Sequence, residues 1–348
     1  MGFTRRLRFL TVLCLWLGLA IGFLVQSASA ADQLNGAGAT FPYPLYSKWF
    51  NEYNKQNPQV RINYQSIGSG GGIRQLLDRT VDFGASDAPM SQEEIGKAKV
   101  PVLHIPTVLG AVVVSYNLPG INQEIRLSPE VLAGIFLGQI TRWADERIMA
   151  LNPKIQLPKD QAILVTYRAD GSGTTSVFTD YLAKVSAEFA QKVGAGKSVR
   201  WPVGLGAKGN EGVSGFIKQT PGAIGYTELV YAETNNLPVA HLQNKKGDFV
   251  RPSVSTVAAA AAGQLQEIPA DYRISITNPA GKDAYPIAAF TYLLVYQKMS
   301  GGKGKELVKF LNWAMKDGQK LAEPMQYAPL PGGLRERVVK TISTIEVQ

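Results

Sequence analysis

The chain has 348 residues, with 36 Lys and Arg against 27 Asp and Glu, 45% hydrophobic and 9% aromatic residues. This balance excludes intrinsic disorder as the main reading. The length argues against helical bundles, small disulfide scaffolds and fibrous folds, and favours two lobes or one large α/β domain.

Residues 1–30 read as a secretory signal peptide: Arg5, Arg6 and Arg8, an apolar run from Phe9 to Val25, then Ala28-Ser29-Ala30 as the cleavage signal. The run is short for a membrane anchor, and it fits the general secretory route better than twin-arginine export. Removing it lowers the net charge from +9 to +6, because only those three arginines are lost. The single cysteine, Cys14, lies inside it, so no disulfide or thiolate metal site is expected in the exported protein. A periplasmic location follows as an expectation.

Beyond the signal, β-like runs alternate with helical segments, the pattern of α/β architecture with largely parallel sheets. Leu34 to Ala39 leads into a helix near Pro42 carrying Leu45, Trp49, Phe50 and Tyr53. Val60 to Ser66 reads as a strand, Gly68 to Gly72 as a loop and Ile73 to Arg79 as a helix. Strands follow at Asp82 to Ser86, Val102 to Thr107 and Ala111 to Tyr116. Ser128-Pro129 opens a helix as N-cap and N1. Ala162 to Tyr167 is a strand, and Arg168 to Gly173 a loop feeding a helix from about Thr174 to Val193. A helix from Asn210 to Lys218 precedes a strand from Gly222 to Tyr226. Tyr285 to Tyr296 is an apolar stretch, with helices at Lys305 to Met315 and Leu334 to Ile342. No linker separates the parts, so two lobes would be joined by chain crossovers.

Four loops recur at strand ends: Thr40-Phe41, Gly68 to Gly72, Ala85-Ser86-Asp87 and Arg168 to Thr174. Helix starts present unpaired N–H groups and the positive end of the helix dipole, which favour an anion. Glycines admit close backbone approach, and hydroxyls add donors. Several such starts converging with one arginine would make a site for a tetrahedral oxyanion. The basic residues are scattered, which argues against a nucleic-acid surface. His104 and His241 have no acidic neighbour in sequence and read as structural or surface residues.

The strings GAGATFPYPLYSKW (36–49), YQSIGSGGGIRQ (64–75), VDFGASDAPM (81–90), RADGSGTTSVFTDYL (168–182) and KGNEGVSGFIKQTPGAIGY (208–226) resemble, along the whole exported chain, the periplasmic phosphate-binding proteins of bacterial high-affinity phosphate ABC transporters. The resemblance implies a two-lobed periplasmic binding protein fold of type II. Lobe 1 would take residues 31–110 and 286–348, lobe 2 residues 111–285, with the ligand in the cleft between them. It implies phosphate contacts at Thr40, Phe41, Ser69, Asp87, Arg168, Ser172, Gly173 and Thr174, with Asp170 holding the arginine. Gly70 stands where other members often carry a second serine. The implied partners are inorganic phosphate and a membrane permease, for a monomer with no cofactor and no enzymatic activity.

The residues agree physically. An ionised Asp87 would repel a fully deprotonated oxyanion such as sulfate, yet accept a hydrogen bond from the proton that phosphate retains near neutral pH. Two enzyme readings are weaker. Arg168 to Thr175 lacks the lysine of a nucleotide-binding P-loop, and no G-x-S-x-G surrounds Ser69, Ser172 or Ser214. Gly204-x-Gly206-x-x-Gly209, with Glu228 nearly twenty residues on, matches a dinucleotide pattern that would need a strand-turn-helix context to count.

Overall fold

The computed structural model describes residues 32–348; the signal peptide expected over residues 1–30, with Cys14, lies outside them. Strands are numbered in chain order: β1 Asp32–Gly38, β2 Val60–Ser66, β3 Phe83–Ser86, β4 Val102–Tyr116, β5 Arg126–Leu127, β6 Leu164–Arg168, β7 Leu205–Ala207, β8 Ala223–Glu228, β9 His241–Gln243, β10 Phe249–Val250 and β11 Ala288–Tyr296. Eight of them form one sheet in the order β2-β1-β3-β11-β4-β8-β6-β7. Pairing is parallel at both ends, where β1 lies between β2 and β3 and β6 between β8 and β7. It is antiparallel in the middle, where β11 and β4 join the halves.

The join is a single strand. β4 pairs with β11 through Val102 to Ala111 and with β8 through Val112 to Tyr116, so one continuous run serves both lobes. The sequence suggests two strands here, because Gly110 looks like a break. Instead, a Cβ at Gly110 would meet the Phe41 ring at 2.6 Å, so the glycine lets an aromatic ring lie against an unbroken strand. The residues from His104 to Tyr116 are all buried, which explains why an apolar run of this length reads without alternation.

A second departure concerns the glycines at 70–72. They are helical, within Ser69–Leu77, rather than a loop. Gly72 packs its Cα directly over Ala37 and Gly38 of β1, where any side chain would collide with backbone. Close helix-to-strand packing therefore outweighs the poor helix propensity of glycine. The helix expected from Thr174 to Val193 is two, Gly173–Val185 and Ala187–Lys192, each capped by its own serine, Ser172 and Ser186. Among the described residues no helix is long and apolar enough to cross a membrane.

Candidate functional site

All four loops singled out in the sequence, and one further segment, meet where the lobes face each other. Ser69 is the first residue of its helix, and Ser172 caps the 173–185 helix by accepting the Thr175 N–H at 3.0 Å. Thr40 and Phe41 precede the helix Tyr43–Gln56, and Asp87 follows β3. Asp87 does not begin a helix; the next one, Gln92–Gly96, is capped by Ser91. Thr40, Phe41, Ser69, Asp87, Arg168, Ser172 and Thr174 are all buried.

Two hydrogen-bonded chains tie these residues together. In the first, Arg168 Nε and Nη2 donate to the two carboxylate oxygens of Asp170 at 2.8 and 2.5 Å, while Nη1 donates to Thr174 Oγ1 at 3.2 Å. Burial alone would raise Asp170, but the hydrogen bonds and charge of Arg168 outweigh it and hold the carboxyl below its ordinary range. In the second, the Gly173 N–H donates to Ser69 Oγ at 3.1 Å, Ser69 Oγ lies 3.3 Å from Asp87 Oδ2, and Thr291 Oγ1 donates to Asp87 Oδ1 at 2.9 Å. Burial pushes the Asp87 carboxyl up to about 7, against the Thr291 hydrogen bond, the Arg168 charge and the Ser69 hydrogen bond.

The lobes touch here through backbone. The Gly70 N–H donates to the Gly171 carbonyl at 2.8 Å, and a Cβ on Gly173 would overlap Ser69 Oγ and Asp87 Oδ2. At the rim, Lys197 Nζ reaches Glu94 Oε2 at 2.8 Å and the Pro89 carbonyl at 3.3 Å. A cavity of about 260 Å³ lined by Asp87, Pro89, Ser176, Asp180, Arg273 and Phe290 adjoins the cluster. Among the described residues the backbone N–H groups of Phe41, Ser69 and Thr174 meet no acceptor, although each belongs to a buried residue near a helix start. The Phe41 carbonyl is already bound by the Tyr327 hydroxyl at 2.7 Å.

Sequence reasoning assigned no role to Asn210 or Thr291. Asn210 is fully buried and joins Thr40 to Thr174; Thr291 comes from β11, more than two hundred residues from Asp87. The string containing Asn210 carried a signal in the resemblance, whereas nothing local marks Thr291. The dinucleotide-like pattern lacks its strand-turn-helix context: Gly204 precedes β7 and Gly206 lies inside it, so only Gly209 stands at a helix start, that of Gly209–Gln219. Its helix start is occupied by the protein itself: the Gly209 N–H donates to Asp170 at 3.0 Å and the Asn210 N–H to Thr40 Oγ1 at 3.3 Å. Glu228 is no ribose ligand; it is buried and caps the helix Leu229–Thr234 through the Val230 N–H at 2.7 Å. The histidines are structural: burial holds His104, which accepts the Met90 N–H at 3.0 Å, down to about 4, and His241 pairs with Glu124 at 2.6 Å. Among the described residues no cluster of His, Cys, Asp and Glu could hold a metal ion.

Comparison with other proteins places the chain. A model of the PBP superfamily domain matches residues 25–317. The phosphate-binding protein PstS of Pasteurella multocida is 45% identical over 314 residues, covering 90% of this chain and 89% of that protein. PstS of Methanocaldococcus jannaschii is 42% identical over 327 residues, covering 87% and 82%. Among solved structures, a high-affinity periplasmic phosphate-binding protein bound with phosphate superposes with a TM-score of 0.70 at 23% identity, covering 88% of this chain and 92% of that one. The phosphate-binding protein from Stenotrophomonas maltophilia gives 0.67 at 21%, covering 89% and 94%, and both share the two-lobed fold. The chain therefore belongs to the PstS family of phosphate-binding proteins, with a PBP superfamily domain, a family of binding proteins rather than enzymes.

Proposed function

We propose that this protein binds inorganic phosphate outside the cytoplasm and delivers it to the membrane permease of a phosphate ABC importer. The observation that carries the reading is Asp87, a buried carboxylate among donors. Around it stand the hydroxyls of Thr40, Ser69, Ser172 and Thr174, the N–H groups of Phe41, Ser69 and Thr174, and the guanidinium of Arg168. Arg168 has five N–H bonds and gives three to Asp170 and Thr174, which leaves two for an anion. Gly173 contributes by its lack of a side chain, which lets the two lobes approach.

A tetrahedral anion seated there offers acceptor oxygens to every group but one. At Asp87 it must offer a proton, or receive the one that Asp87 holds; either way one proton is shared between carboxylate and anion. Phosphate supplies it near neutral pH, and sulfate does not, so sulfate leaves a buried acceptor facing a bare oxygen. Lobe 1, residues 31–110 and 286–348, and lobe 2, residues 111–285, close around the ion by flexing where the chain passes between lobes, within β4 and just before β11, and the closed monomer presents the surface that the permease reads.

Calorimetric titration with phosphate and with sulfate at equal ionic strength tests the reading. One-to-one phosphate binding with sulfate silent is expected. Asp87→Asn weakens phosphate less than Arg168→Ala, yet narrows the gap between the two anions. Undiminished rejection of sulfate by Asp87→Asn would remove Asp87 from the discrimination.

A further inference from the structure

We infer that Asn210 is a positioning residue that turns the hydroxyls of Thr40 and Thr174 into obligatory donors toward the bound anion. The inference rests on the phosphate reading of the site. A hydroxyl has one proton to give and two lone pairs with which to accept. Thr40 Oγ1 accepts from Asn210 twice, from Nδ2 at 2.7 Å and from the backbone N–H at 3.3 Å. Thr174 Oγ1 accepts from Asn210 Nδ2 at 3.3 Å and from Arg168 Nη1 at 3.2 Å. With both lone pairs of each oxygen occupied, the only bond left to either hydroxyl is the one its proton makes.

The direction of the Asn210 amide is itself set. Its Oδ1 accepts the Glu228 N–H at 3.0 Å, a group that can only donate, so the NH₂ end must face the two threonines. Ser69 reaches the same state without Asn210, since its Oγ accepts from the Gly173 N–H at 3.1 Å and the Asp87 N–H at 3.3 Å. Three hydroxyls thus have their polarity fixed before an anion arrives, and Asp87 keeps its place as the carboxylate among them. Fixing rotors in advance removes an ordering cost from binding and prevents the hydroxyls from adapting to a more protonated anion.

Two variants and one spectroscopic readout test this. Asn210→Asp keeps the shape and the acceptor for the Glu228 N–H, but replaces the shared NH₂ by a carboxylate oxygen, toward which both threonine protons turn. Asn210→Leu removes the amide without supplying an acceptor. Phosphate affinity is expected to fall roughly 300-fold in Asn210→Asp and roughly 30-fold in Asn210→Leu. A packing role predicts the opposite order, because the aspartate disturbs the interior less.

Proton NMR of the phosphate complex, filtered for coupling to phosphorus, should show the hydroxyl protons of Thr40, Ser69 and Thr174 in the wild type. In Asn210→Asp at saturating phosphate it should show only Ser69. Persistence of the Thr40 and Thr174 couplings in that variant, or a weaker effect of aspartate than of leucine, would overturn the inference while leaving the phosphate reading intact. A wild-type protein that binds no phosphate would overturn both.

Discussion

The Arg168 end and the Asp87 end of the site are both buried, and they handle charge in opposite ways. Arg168 is neutralised before any ligand arrives, by a two-point ion pair with Asp170. Among the described residues Asp87 has no cation in contact; its partners are the hydroxyls of Ser69 and Thr291, and burial raises it to about 7. On the proposed reading, then, a net positive charge is not what holds the anion: neutral donors and the spare guanidinium protons would supply attraction, and the uncompensated carboxylate choice.

The largest test of that contrast is the titration of Asp87 itself. A carboxyl moved from its ordinary 3.8 to about 7 corresponds to roughly 4 kcal/mol of differential stability. The folded state then holds a proton that the unfolded chain has released. Stability from this group is complete below about pH 4, declines as pH rises to 7, and is flat above. His104, held to about 4 from an ordinary 6.5, slopes the other way over an overlapping range, so the wild type must be read against Asp87→Asn. Ligand-free Asp87→Asn should melt higher than wild type at pH 8 and with it at pH 4. Parallel melting curves across that range would mean that Asp87 is neutralised like Asp170.

Next in size is Gly173→Ala, which forces the two ends apart. Its Cβ would occupy the space of Ser69 Oγ and Asp87 Oδ2. Phosphate affinity should fall on the order of a hundredfold, about 3 kcal/mol, without loss of ligand-free melting temperature. Unchanged calorimetric affinity would show that the binding form does not need this approach. The smallest effect belongs to the rim. Lys197→Ala removes the partly exposed Lys197–Glu94 bridge, worth on the order of 1 kcal/mol. Stopped-flow release of phosphate should be about threefold faster at low salt, and the difference should vanish at high salt. A difference that survives high salt would mark Lys197 as more than a surface bridge.

Much of this molecule was legible in advance because local chemistry and tertiary role coincide. Short β-like runs between helical segments gave most of the strands of the sheet, and Ser128 caps its helix as its neighbours suggested. Where the two diverge, the sequence misled. Gly70 to Gly72 looks like a turn, but is helical, with Gly72 against β1 and Gly70 against Gly171. Gly110 looks like a break, but keeps β4 continuous beside Phe41. The site was legible through the loops that resemble a family. Thr291 and the Lys197–Glu94 pair were not, because each acts through a partner about a hundred residues away or more, and no spacing rule reaches that far.

The glycine contacts between the lobes have an entropic meaning. Gly70 meets Gly171 through backbone alone, and Gly173 meets Ser69 and Asp87 without a side chain of its own. Glycine has no rotamers to freeze, so bringing these surfaces together orders far less than an interface of lysines or methionines would. Under the proposed function, closure would draw its free energy from the ion rather than from the lobes' affinity for each other. A carrier built this way would shut when loaded and open easily when emptied, which is what repeated delivery demands.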